Sequence, residues 1–288
     1  MKGIILAGGV GSRLFPITSS VPKALLPVYN KPMIYYPLST LLLAGIKDIL
    51  IICTSSSLEL FKNLLGNGAG LGISLTYKVQ DNPDGIAQAF VLGEDFIKDD
   101  NVCLILGDNL LYGHTLPEKL NSARESIEAN GGGVVFGYRV ANPSAYGVAE
   151  IKNQKIIGIC EKPEIPKSNI AVVGLYMYDN SVISASKEIR PSARGELEIT
   201  DVNKLFIKNN NLSICTLGRG FTWFDTGSSE DLFSASSFVR MIEERQGLKV
   251  ACIEEIAYYM NYITLDDVKK RHEEIKHSVY GMYLKQII

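Results

Sequence analysis

Residues 6–14 read Leu-Ala-Gly-Gly-Val-Gly-Ser-Arg-Leu, and they directly follow a short apolar run that is predicted to be the first strand. Residues 22–27 then read Pro-Lys-Ala-Leu-Leu-Pro. Glycine allows the backbone to turn sharply and lets bare amides approach a ligand closely. Amides that face one point bind anions, and Arg13 and Lys23 would add positive charge there. The pattern therefore predicts a polyphosphate site after the first strand.

A plain turn and two other nucleotide motifs are the alternatives to this interpretation. The glycines alone are as compatible with a tight turn as with a phosphate site. A dinucleotide fingerprint would need a third glycine at Leu14 and an acidic residue where Thr54 follows the second predicted strand. A P-loop would need Gly-Lys-Ser or Gly-Lys-Thr after four spacer residues, which this loop lacks. What remains is a glycine loop that contains an arginine and is followed by a lysine.

The composition is that of an ordinary globular protein. The 288 residues are 46% hydrophobic and 21% charged, and the formal net charge is −2. A chain of this length can bury a large core as a single α/β unit. The near-neutral charge argues against a surface that binds nucleic acid, so basic residues are expected to act locally, at a phosphate site.

The five cysteines are scattered and show no Cys-x-x-Cys spacing. Cys53, Cys103 and Cys160 lie in or beside apolar runs, and they are predicted to be small buried hydrophobes in a reducing compartment rather than disulfides or zinc ligands. The N-terminal segment has neither the length of a membrane span nor the cleavage pattern of a signal peptide. We expect a cytoplasmic protein with no membrane partner.

Short apolar runs alternate with amphipathic stretches up to about residue 110. Strands are predicted at 3–7, 48–53, 74–79 and 102–106. Two helical faces are predicted, one from Ile34, Leu38, Leu41 and Leu42 and one from Ala89, Leu92 and Phe96. This alternation predicts an α/β fold with a Rossmann-like, doubly wound, mostly parallel sheet. Ligands bind beyond the carboxyl ends of such strands, where four segments are expected to converge, at Gly8, Thr54, Gln80 and Asp108.

The second half has a different pattern. Shorter strands, predicted at 133–139, 147–151, 155–160 and 171–178, indicate an extension of the sheet. A helix is predicted over 229–246, closed by Gly247. Its apolar side is predicted to consist of Leu232, Phe233, Phe238, Val239 and Ile242. Further helices are expected within 252–286, so the simplest organisation is one domain with a helical C-terminal appendix.

The two opening motifs resemble the signature of the sugar-nucleotide pyrophosphorylases (nucleotidylyltransferases), Gly-Gly-x-Gly-x-Arg-Leu followed by Pro-Lys-x-Leu-x-Pro. Seven further segments are similar to the branch of that family that uses dTTP and glucose 1-phosphate: 31–39, 107–109, 146–148, 161–163, 191–201, 223–227 and 244–250. The resemblance covers almost the whole chain in the expected order. It implies a core over 1–228, with a nucleotide half at about 1–110 and a sugar half at about 111–228. Residues 229–288 would form a helical region for oligomerisation or regulation, in a homotetramer.

The activity implied by the resemblance is transfer of a deoxythymidylyl group from dTTP to α-D-glucose 1-phosphate, giving dTDP-glucose and pyrophosphate, as the first step toward dTDP-L-rhamnose and related deoxysugars. Such a transfer needs mainly the positioning and neutralisation of two anionic reactants. The attacking phosphate is already ionised at neutral pH, so no general base is required. A UTP-using enzyme of the same chemistry and a non-catalytic nucleotide-sensing homologue are the alternatives.

The resemblance assigns the nucleotide and metal residues. Arg13, Lys23 and Lys162 would be the catalytic charges. The nucleotide would be bound by Gly8, Gly9, Gly11, Gln80, Gly85 and Asp108. An amide such as that of Gln80 can both donate to and accept from the edge of thymine or uracil. Asp108 and Asp225 would hold Mg²⁺ through hard oxygen ligands, whereas local sequence alone is equally typical of a helix cap at Asp108 and a turn at Asp225.

The sugar-phosphate residues implied by the resemblance are Asn109, Tyr146, Gly147, Glu161, Lys162, Val173, Arg194 and Trp223. Without it, Tyr146 and Trp223 would be predicted to be core aromatics, and Lys162 a solvated charge. The planar fork of Arg194 suits a phosphate group.

Two positions depart from the family pattern. The motif Pro-Lys-x-Leu-Leu-Pro usually carries glutamine after the lysine in the dTTP-using branch, and this chain has Ala24. Selection between deoxyribose and ribose is therefore expected to be relaxed. An arginine expected in a regulatory nucleotide site between subunits is replaced by Tyr259, so weaker feedback control is expected.

Overall fold

A large sheet lies at the centre of the molecule. The computed structural model describes residues 1–9 and 11–288, and these contain thirteen strands. The strands are β1 (Lys2–Leu6), β2 (Pro27–Val28), β3 (Lys31–Pro32), β4 (Asp48–Cys53), β5 (Ser74–Val79), β6 (Val102–Leu106), β7 (Asn109–Tyr112), β8 (Gly133–Arg139), β9 (Gly147–Lys152), β10 (Lys155–Glu161), β11 (Ile170–Tyr178), β12 (Leu212–Leu217) and β13 (Thr222–Asp225). Nine of them form one sheet, in which the order β10-β9-β11-β6-β1-β4-β5 is extended by β8 and β12.

The N-terminal half of the sheet is parallel. Strand β1 lies between β4 and β6, with Ile4 opposite Leu50 on one side and Leu104 on the other, and β5 adds to β4 in the same direction. Successive side chains of a strand point to opposite faces, so Ile4 and Ile5 enter two different hydrophobic cores. Burial on both faces explains why these strands are continuous apolar runs.

The C-terminal half of the sheet is mainly antiparallel. Strand β11 runs antiparallel to β6, β8 and β9, and β10 forms a hairpin with β9. The hairpin turn is Asn153-Gln154, and both residues have positive φ, 50° and 63°. Two-residue turns of this kind match the twist of antiparallel strands. The predicted sheet extension is therefore confirmed.

Helices cover both faces of the sheet. They are α1 (Tyr35–Leu43), α2 (Leu58–Leu65), α3 (Gln88–Leu92), α4 (Glu94–Ile97), α5 (Leu116–Asn130), α6 (Val182–Glu188), α7 (Ile199–Lys208), α8 (Ser229–Gln246), α9 (Ile253–Tyr259), α10 (Leu265–Ile275) and α11 (Val279–Leu284). Helices α1, α5 and α9 contribute to one core, and α3, α6 and α7 to the other. The predicted α/β fold class, with helices on both faces of a central sheet, is confirmed. No helix among residues 1–9 and 11–288 is long and apolar enough to cross a membrane.

The predicted helical faces are partly wrong. Gly93 separates α3 from α4, so Ala89, Leu92 and Phe96 do not share one helix, although all three pack against the same core. In α8, Phe233 is 74% exposed, while Leu232 packs against a third core. Phe233 lies about 100° round the helix from Leu232, on the side that faces away from this core.

The buried-cysteine prediction holds for Cys53 and Cys103 but is wrong for Cys160, which is exposed. Cys160 lies on β10, at the edge of the sheet. An edge strand with one open face alternates inward and outward side chains, and Cys160 points outward after the buried Ile159.

The C-terminal helices pack against one another and against α1. Val268, Tyr283 and Leu284 form a small core of their own. Helix α10 begins with a capping box in which Thr264 and Asp267 exchange side-chain and backbone hydrogen bonds. Of the C-terminal tyrosines, Tyr283 is buried, whereas Tyr259 is 68% exposed.

Candidate active site

The carboxyl ends of the parallel strands bring distant segments together. The Gly107 N–H donates to the Leu6 carbonyl at 2.8 Å, and the Gln80 N–H donates to the Cys53 carbonyl at 2.8 Å. The predicted convergence of Gly8, Gln80 and Asp108 is therefore found. Thr54 instead hydrogen bonds within its own turn, to the hydroxyls of Ser56 and Ser57.

A first cavity of about 150 Å³ opens at this edge of the sheet. Half of its lining residues are alanine or glycine, and the full set is Leu6, Ala7, Gly9, Lys23, Ala24, Leu106, Gly107 and Asp108. A methyl group on Gly107 would lie 3.1 Å from the Ala7 side chain, so this close approach favours glycine. Lys23 forms an ion pair with Asp108. Ala24, the position that departs from the family pattern, is one of the residues that line this cavity.

Arg13 is carried by a short 3₁₀ turn, Ser12–Leu14, that the buried Leu14 anchors. Gly11 precedes this turn with φ 63°, in the left-handed region that glycine adopts readily. The Arg13 guanidinium lies over Gly227, where a methyl group would be 2.8 Å from its nitrogen. The arginine predicted from the opening motif is thus placed beside the segment that carries Asp225.

Two carboxylates from distant segments meet between the strands. Strand β13 runs antiparallel to β7, with Asp225 opposite Asn109, and the Thr226 hydroxyl donates to the Asp108 carbonyl at 2.9 Å. Burial, followed by the nearby negative charge of Asp108, raises the pKa of Asp225 to about 6. The pair is therefore only partly neutralised by Lys23 and Arg13.

This donor set fits a hard divalent cation. Carboxylate oxygens are the ligands that Mg²⁺ prefers, usually one or two from the protein with the rest from phosphates and water. Within residues 1–9 and 11–288 no group of three or more His, Cys, Asp or Glu side chains is arranged to hold a metal. A metal at Asp108 and Asp225 would accordingly depend on substrate oxygens.

Gln80 is 4% exposed, not a surface loop residue. Its Oε1 lies against Gly8, where a methyl group would overlap it. Gly85 follows at φ 111°, and a methyl group there would overlap the backbone of Leu197. The loop after β5 is thereby held between the glycine loop and the segment before α7.

A second cavity, of about 250 Å³, adjoins the first one at Leu106. Two residues that were not assigned to the sugar phosphate, Arg13 and Asp225, line it. The rest of this part of the lining consists of predicted sugar-phosphate residues: Asn109, Tyr146, Gly147, Glu161, Lys162, Arg194 and Trp223. Antiparallel strands β9, β10 and β11 supply much of this lining, so the sheet extension builds the second half of the site.

Asn109 is a buried junction of the two cavities. Its Oδ1 accepts from the Trp223 indole at 2.6 Å and from the Gly174 N–H at 3.0 Å, while its Nδ2 donates to Asp108 at 2.9 Å. A methyl group on Gly174 would lie 2.7 Å from Oδ1. Trp223 is 8% exposed, as a core aromatic would be, yet it also borders the cavity.

Lys162 has an unusual backbone. Its φ is 41°, in the left-handed region, and its N–H donates to the Tyr146 carbonyl at 3.0 Å. Residues other than glycine are strained at this backbone angle, and such strain is typical of functional sites. The neighbouring Glu161 accepts from the Thr200 hydroxyl at 2.7 Å.

Arg194 lies among three carboxylates. Its guanidinium is 2.8 Å from Glu198, 3.6 Å from Glu196 and 3.9 Å from Glu161. Hydrogen bonding to Glu198 raises its pKa. The sequence interpretation missed Glu196 and Glu198, although their two-residue spacing is the signal that places side chains on one side of an extended chain.

Val173 is not arranged as predicted. Its side chain is completely buried in the first core, and its neighbours Val172 and Gly174 line the cavity instead. Alternation along β11 explains the difference. Only the backbone of Val173 is left to contact a ligand.

Comparison with known proteins identifies the class. The family model described as nucleotidyl transferase matches residues 2–241, and the chain belongs to that family. The glucose-1-phosphate thymidylyltransferase of Neisseria gonorrhoeae is 51% identical over all of this chain and 99% of its own. The enzyme of the same name from Mycolicibacterium smegmatis is 50% identical over all of this chain and 99% of its own. The family predicted from the motifs is confirmed.

Two solved structures share the fold. A putative glucose-1-phosphate thymidylyltransferase from Bacillus anthracis in complex with a sucrose has a TM-score of 0.77 and 44% identity, covering 83% of this chain and 95% of that one. A UDP-glucose pyrophosphorylase complexed with UDP-glucose has a TM-score of 0.74 and 26% identity, covering 84% of this chain and 98% of that one.

Proposed function

We propose that this protein is an enzyme that transfers the deoxythymidylyl group of dTTP to glucose 1-phosphate, giving dTDP-glucose and pyrophosphate. One observation carries the proposal: a cavity walled by a glycine loop and Lys23 adjoins a larger cavity with Lys162 and Arg194, and Asp108 and Asp225 stand between them. Full-length relatives at about 50% identity favour dTTP over UTP as the nucleotide.

The chemistry requires the two substrates to meet in line. The ionised sugar phosphate oxygen forms a bond to the α-phosphorus of dTTP, and the bond from that phosphorus to the bridging oxygen breaks, so pyrophosphate leaves with the electron pair. The phosphate monoester is mostly ionised near neutral pH, because its second pKa is about 6. The protein therefore has to position the groups and neutralise charge.

We assign the basic residues to the two substrates by their place in the site: Lys23 borders the first cavity, and Lys162 and Arg194 border the second. Arg13 also borders the second cavity, and we assign it to the triphosphate because its short turn directly follows the glycine loop. The amides of Gly8, Gly9 and Gly11, with Arg13 and Lys23, would hold the triphosphate. Lys162 and Arg194 would hold the sugar phosphate, with the hexose against Glu161, Tyr146 and Trp223. Lys23 and Arg194 are each paired with carboxylates. Both cations would therefore exchange a carboxylate for a phosphate when substrate binds.

Asp108 and Asp225 would hold Mg²⁺. When bound, the cation would neutralise phosphate oxygens during the transfer. The partly compensated charge of this pair supports the assignment, because two buried carboxylates are stable together only near positive charge.

A direct assay tests the proposed function. Pyrophosphate release would be measured with glucose 1-phosphate and each of dTTP, UTP, dCTP and dATP. We expect the highest kcat/KM with dTTP. Absence of pyrophosphate release with every nucleotide, together with measurable dTTP binding, would favour the non-catalytic sensing homologue.

We also propose that the protein is a cytoplasmic homotetramer, organised as a core over 1–228 and a C-terminal helical region over 229–288. Exposed apolar side chains in that region support the assembly: Phe233, Met241, Leu248, Val279 and Met282. Aromatic residues and methionine, such as Phe233, Met241 and Met282, are enriched in interface cores. A monomeric mass by light scattering at micromolar concentration would contradict the tetramer.

A further inference from the structure

Three polar side chains after β5 form a hydrogen-bonded chain beside the first cavity. Gln80 Nε2 donates to Gln88 Oε1. Gln88 Nε2 in turn donates to Asp84 Oδ2 at 2.9 Å, and the Asp84 N–H donates to Gln88 Oε1 at 3.3 Å. The resemblance described above implies a base-reading role for Gln80, and that role involves neither of the other two residues.

The chemistry of Asp84 fixes which atoms donate and which accept in this series of hydrogen bonds. An ionised carboxylate can only accept hydrogen bonds. Asp84 therefore requires Gln88 to present its NH₂ group, which leaves Gln88 Oε1 as an acceptor for Gln80. Gln80 must then present its own NH₂ group to Gln88 and turn its carbonyl oxygen the other way.

Backbone hydrogen bonds fix the position of Asp84. The Leu197 N–H donates to the Asp84 carbonyl at 2.6 Å, and the Ala87 N–H donates to the Leu197 carbonyl at 3.2 Å. Gly85 lies between them, packed too closely against Leu197 to carry a side chain. The backbone that carries Asp84 is thus tied to the segment before α7.

The Gln80 end of the chain lies at the glycine loop. Gln80 is buried, and its Oε1 occupies the space that a side chain at Gly8 would fill. A buried hydrogen bond is less exposed to competition from water. The orientation of the amide is therefore set by Gln88, next to the phosphate-binding backbone.

The orientation of an amide distinguishes pyrimidines. Thymine and uracil carry a hydrogen on ring N3 and an oxygen at position 4, whereas cytosine carries a lone pair on N3 and an amino group at position 4. A base that is held in place by its sugar and phosphates meets the amide in one register. An oxygen opposite N3 accepts from thymine or uracil and repels cytosine, and a rotated amide does the reverse.

We infer that Gln88 and Asp84 are positioning residues that lock the Gln80 amide in the orientation that selects thymine or uracil over cytosine. This inference rests on the proposed function, because it takes Gln80 as the group that reads the base. It assigns to Gln88 and Asp84 a part in substrate specificity without contact with the substrate.

The test compares dTTP with dCTP. Gln88→Met removes both hydrogen bonds at similar length, and we expect the dTTP/dCTP ratio of kcat/KM to fall roughly tenfold, the scale of losing one oriented pair of hydrogen bonds to a base. Asp84→Asn, at an exposed position, leaves an amide that can face either way, so a smaller fall is expected. Asp81→Asn is the matched control, because it makes the same charge change in the same exposed loop.

A charge-exchanged double variant separates orientation from packing. In Asp84→Asn/Gln88→Glu, the new carboxylate at 88 still accepts from Gln80, and the new amide at 84 can donate to it. We expect this variant to keep the ratio within about threefold of the wild type. An unchanged ratio in Gln88→Met, or a loss in the double variant as large as in Gln88→Met, would overturn the inference.

Calorimetric dissociation constants for dTTP and dCTP give the same ratio without turnover. If the wild type binds dTTP but transfers nothing to glucose 1-phosphate, the proposed function fails while the orientation is still tested by binding. If Gln88→Met does not fold, the test uses the dTTP/dCTP ratios of Asp84→Asn and of the double variant Asp84→Asn/Gln88→Glu. Unaltered selectivity in Asp84→Asn would then count against the inference.

Discussion

The two cavities at the strand ends are built in different ways. The first lies beside parallel strands, half of its lining residues are alanine or glycine, and Lys23 forms an ion pair with Asp108 there. The second is walled by side chains on antiparallel strands and loops, and Arg194 alone faces three carboxylates there. In the proposed function, the first would bind the phosphate chain through backbone amides, whereas the second would exchange the ion pairs of Arg194 for contacts with the sugar phosphate.

The largest expected effect compares a cation that we assign to the triphosphate with one that we assign to the sugar phosphate. Arg13→Ala and Lys162→Ala should each lower kcat by roughly a hundredfold or more, the scale of removing one transition-state charge stabiliser. The nucleotide KM should rise in the first variant and the glucose 1-phosphate KM in the second. Near-normal turnover in both, in steady-state assays, would place the reaction elsewhere.

Asp225, at the boundary of the two cavities, should show opposite effects on activity and stability. Asp225→Asn should weaken turnover and its Mg²⁺ dependence. Its raised folded-state pKa means that ionised Asp225 destabilises the fold above about pH 6. The metal-free variant should therefore be more stable at pH 7.5, by roughly 1–3 kcal/mol, because one pKa unit corresponds to about 1.4 kcal/mol.

Chemical denaturation in EDTA checks the pH dependence of this gain. Because the carboxyl group is protonated in both folded and unfolded chains below about pH 4, the advantage of the variant should shrink as the pH falls from 7.5 to 4. A variant that is less stable than the wild type at pH 7.5 would contradict the origin given for the pKa shift.

Ala24 tests whether the first cavity distinguishes the sugar of the nucleoside. Ala24→Gln should raise the dTTP/UTP ratio of kcat/KM several-fold, because one hydrogen bond contributes about 0.5–1.5 kcal/mol. Gln80 should still select the pyrimidine. If glutamine leaves the ratio unchanged, position 24 does not distinguish deoxyribose from ribose.

The smallest expected effect concerns the carboxylates of the second cavity. Glu196→Gln removes one exposed competitor for Arg194, so the KM for glucose 1-phosphate should fall by at most about threefold, as expected for an exposed ion pair. The KM for dTTP should stay constant and acts as the internal control. A rise in the glucose 1-phosphate KM would mean that Glu196 helps to bind the sugar.

The difference between the two cavities also explains which parts of the site could be predicted from the sequence. The strands around the first cavity were predictable to within about a residue, because strands that are buried on both faces are uninterrupted apolar runs. Gly8, Lys23 and Asp108 follow those strands within local motifs. Their convergence then follows from the rule that ligands bind beyond the carboxyl ends of parallel strands.

The second cavity depends on which face each side chain takes, and local sequence specifies this poorly. Val173 was assigned by resemblance to the sugar site, yet alternation along β11 turns its side chain into the core. Phe233 was misassigned for the same kind of reason on α8. Of the carboxylates around Arg194, Glu196 and Glu198 lie between α6 and α7, outside every predicted strand, so their two-residue spacing was the only signal that could have indicated them.

The contact of Gly85 with Leu197 has a consequence for anyone who wishes to redesign this protein. The loop after β5 and the segment before α7 share backbone hydrogen bonds through Asp84, Ala87 and Leu197, and they leave no room for a side chain at Gly85. Neither segment is a free-standing module. Transplanting the loop at 80–88 from another protein would need the stretch at 191–198 to be exchanged with it, so that the two are inherited as one unit.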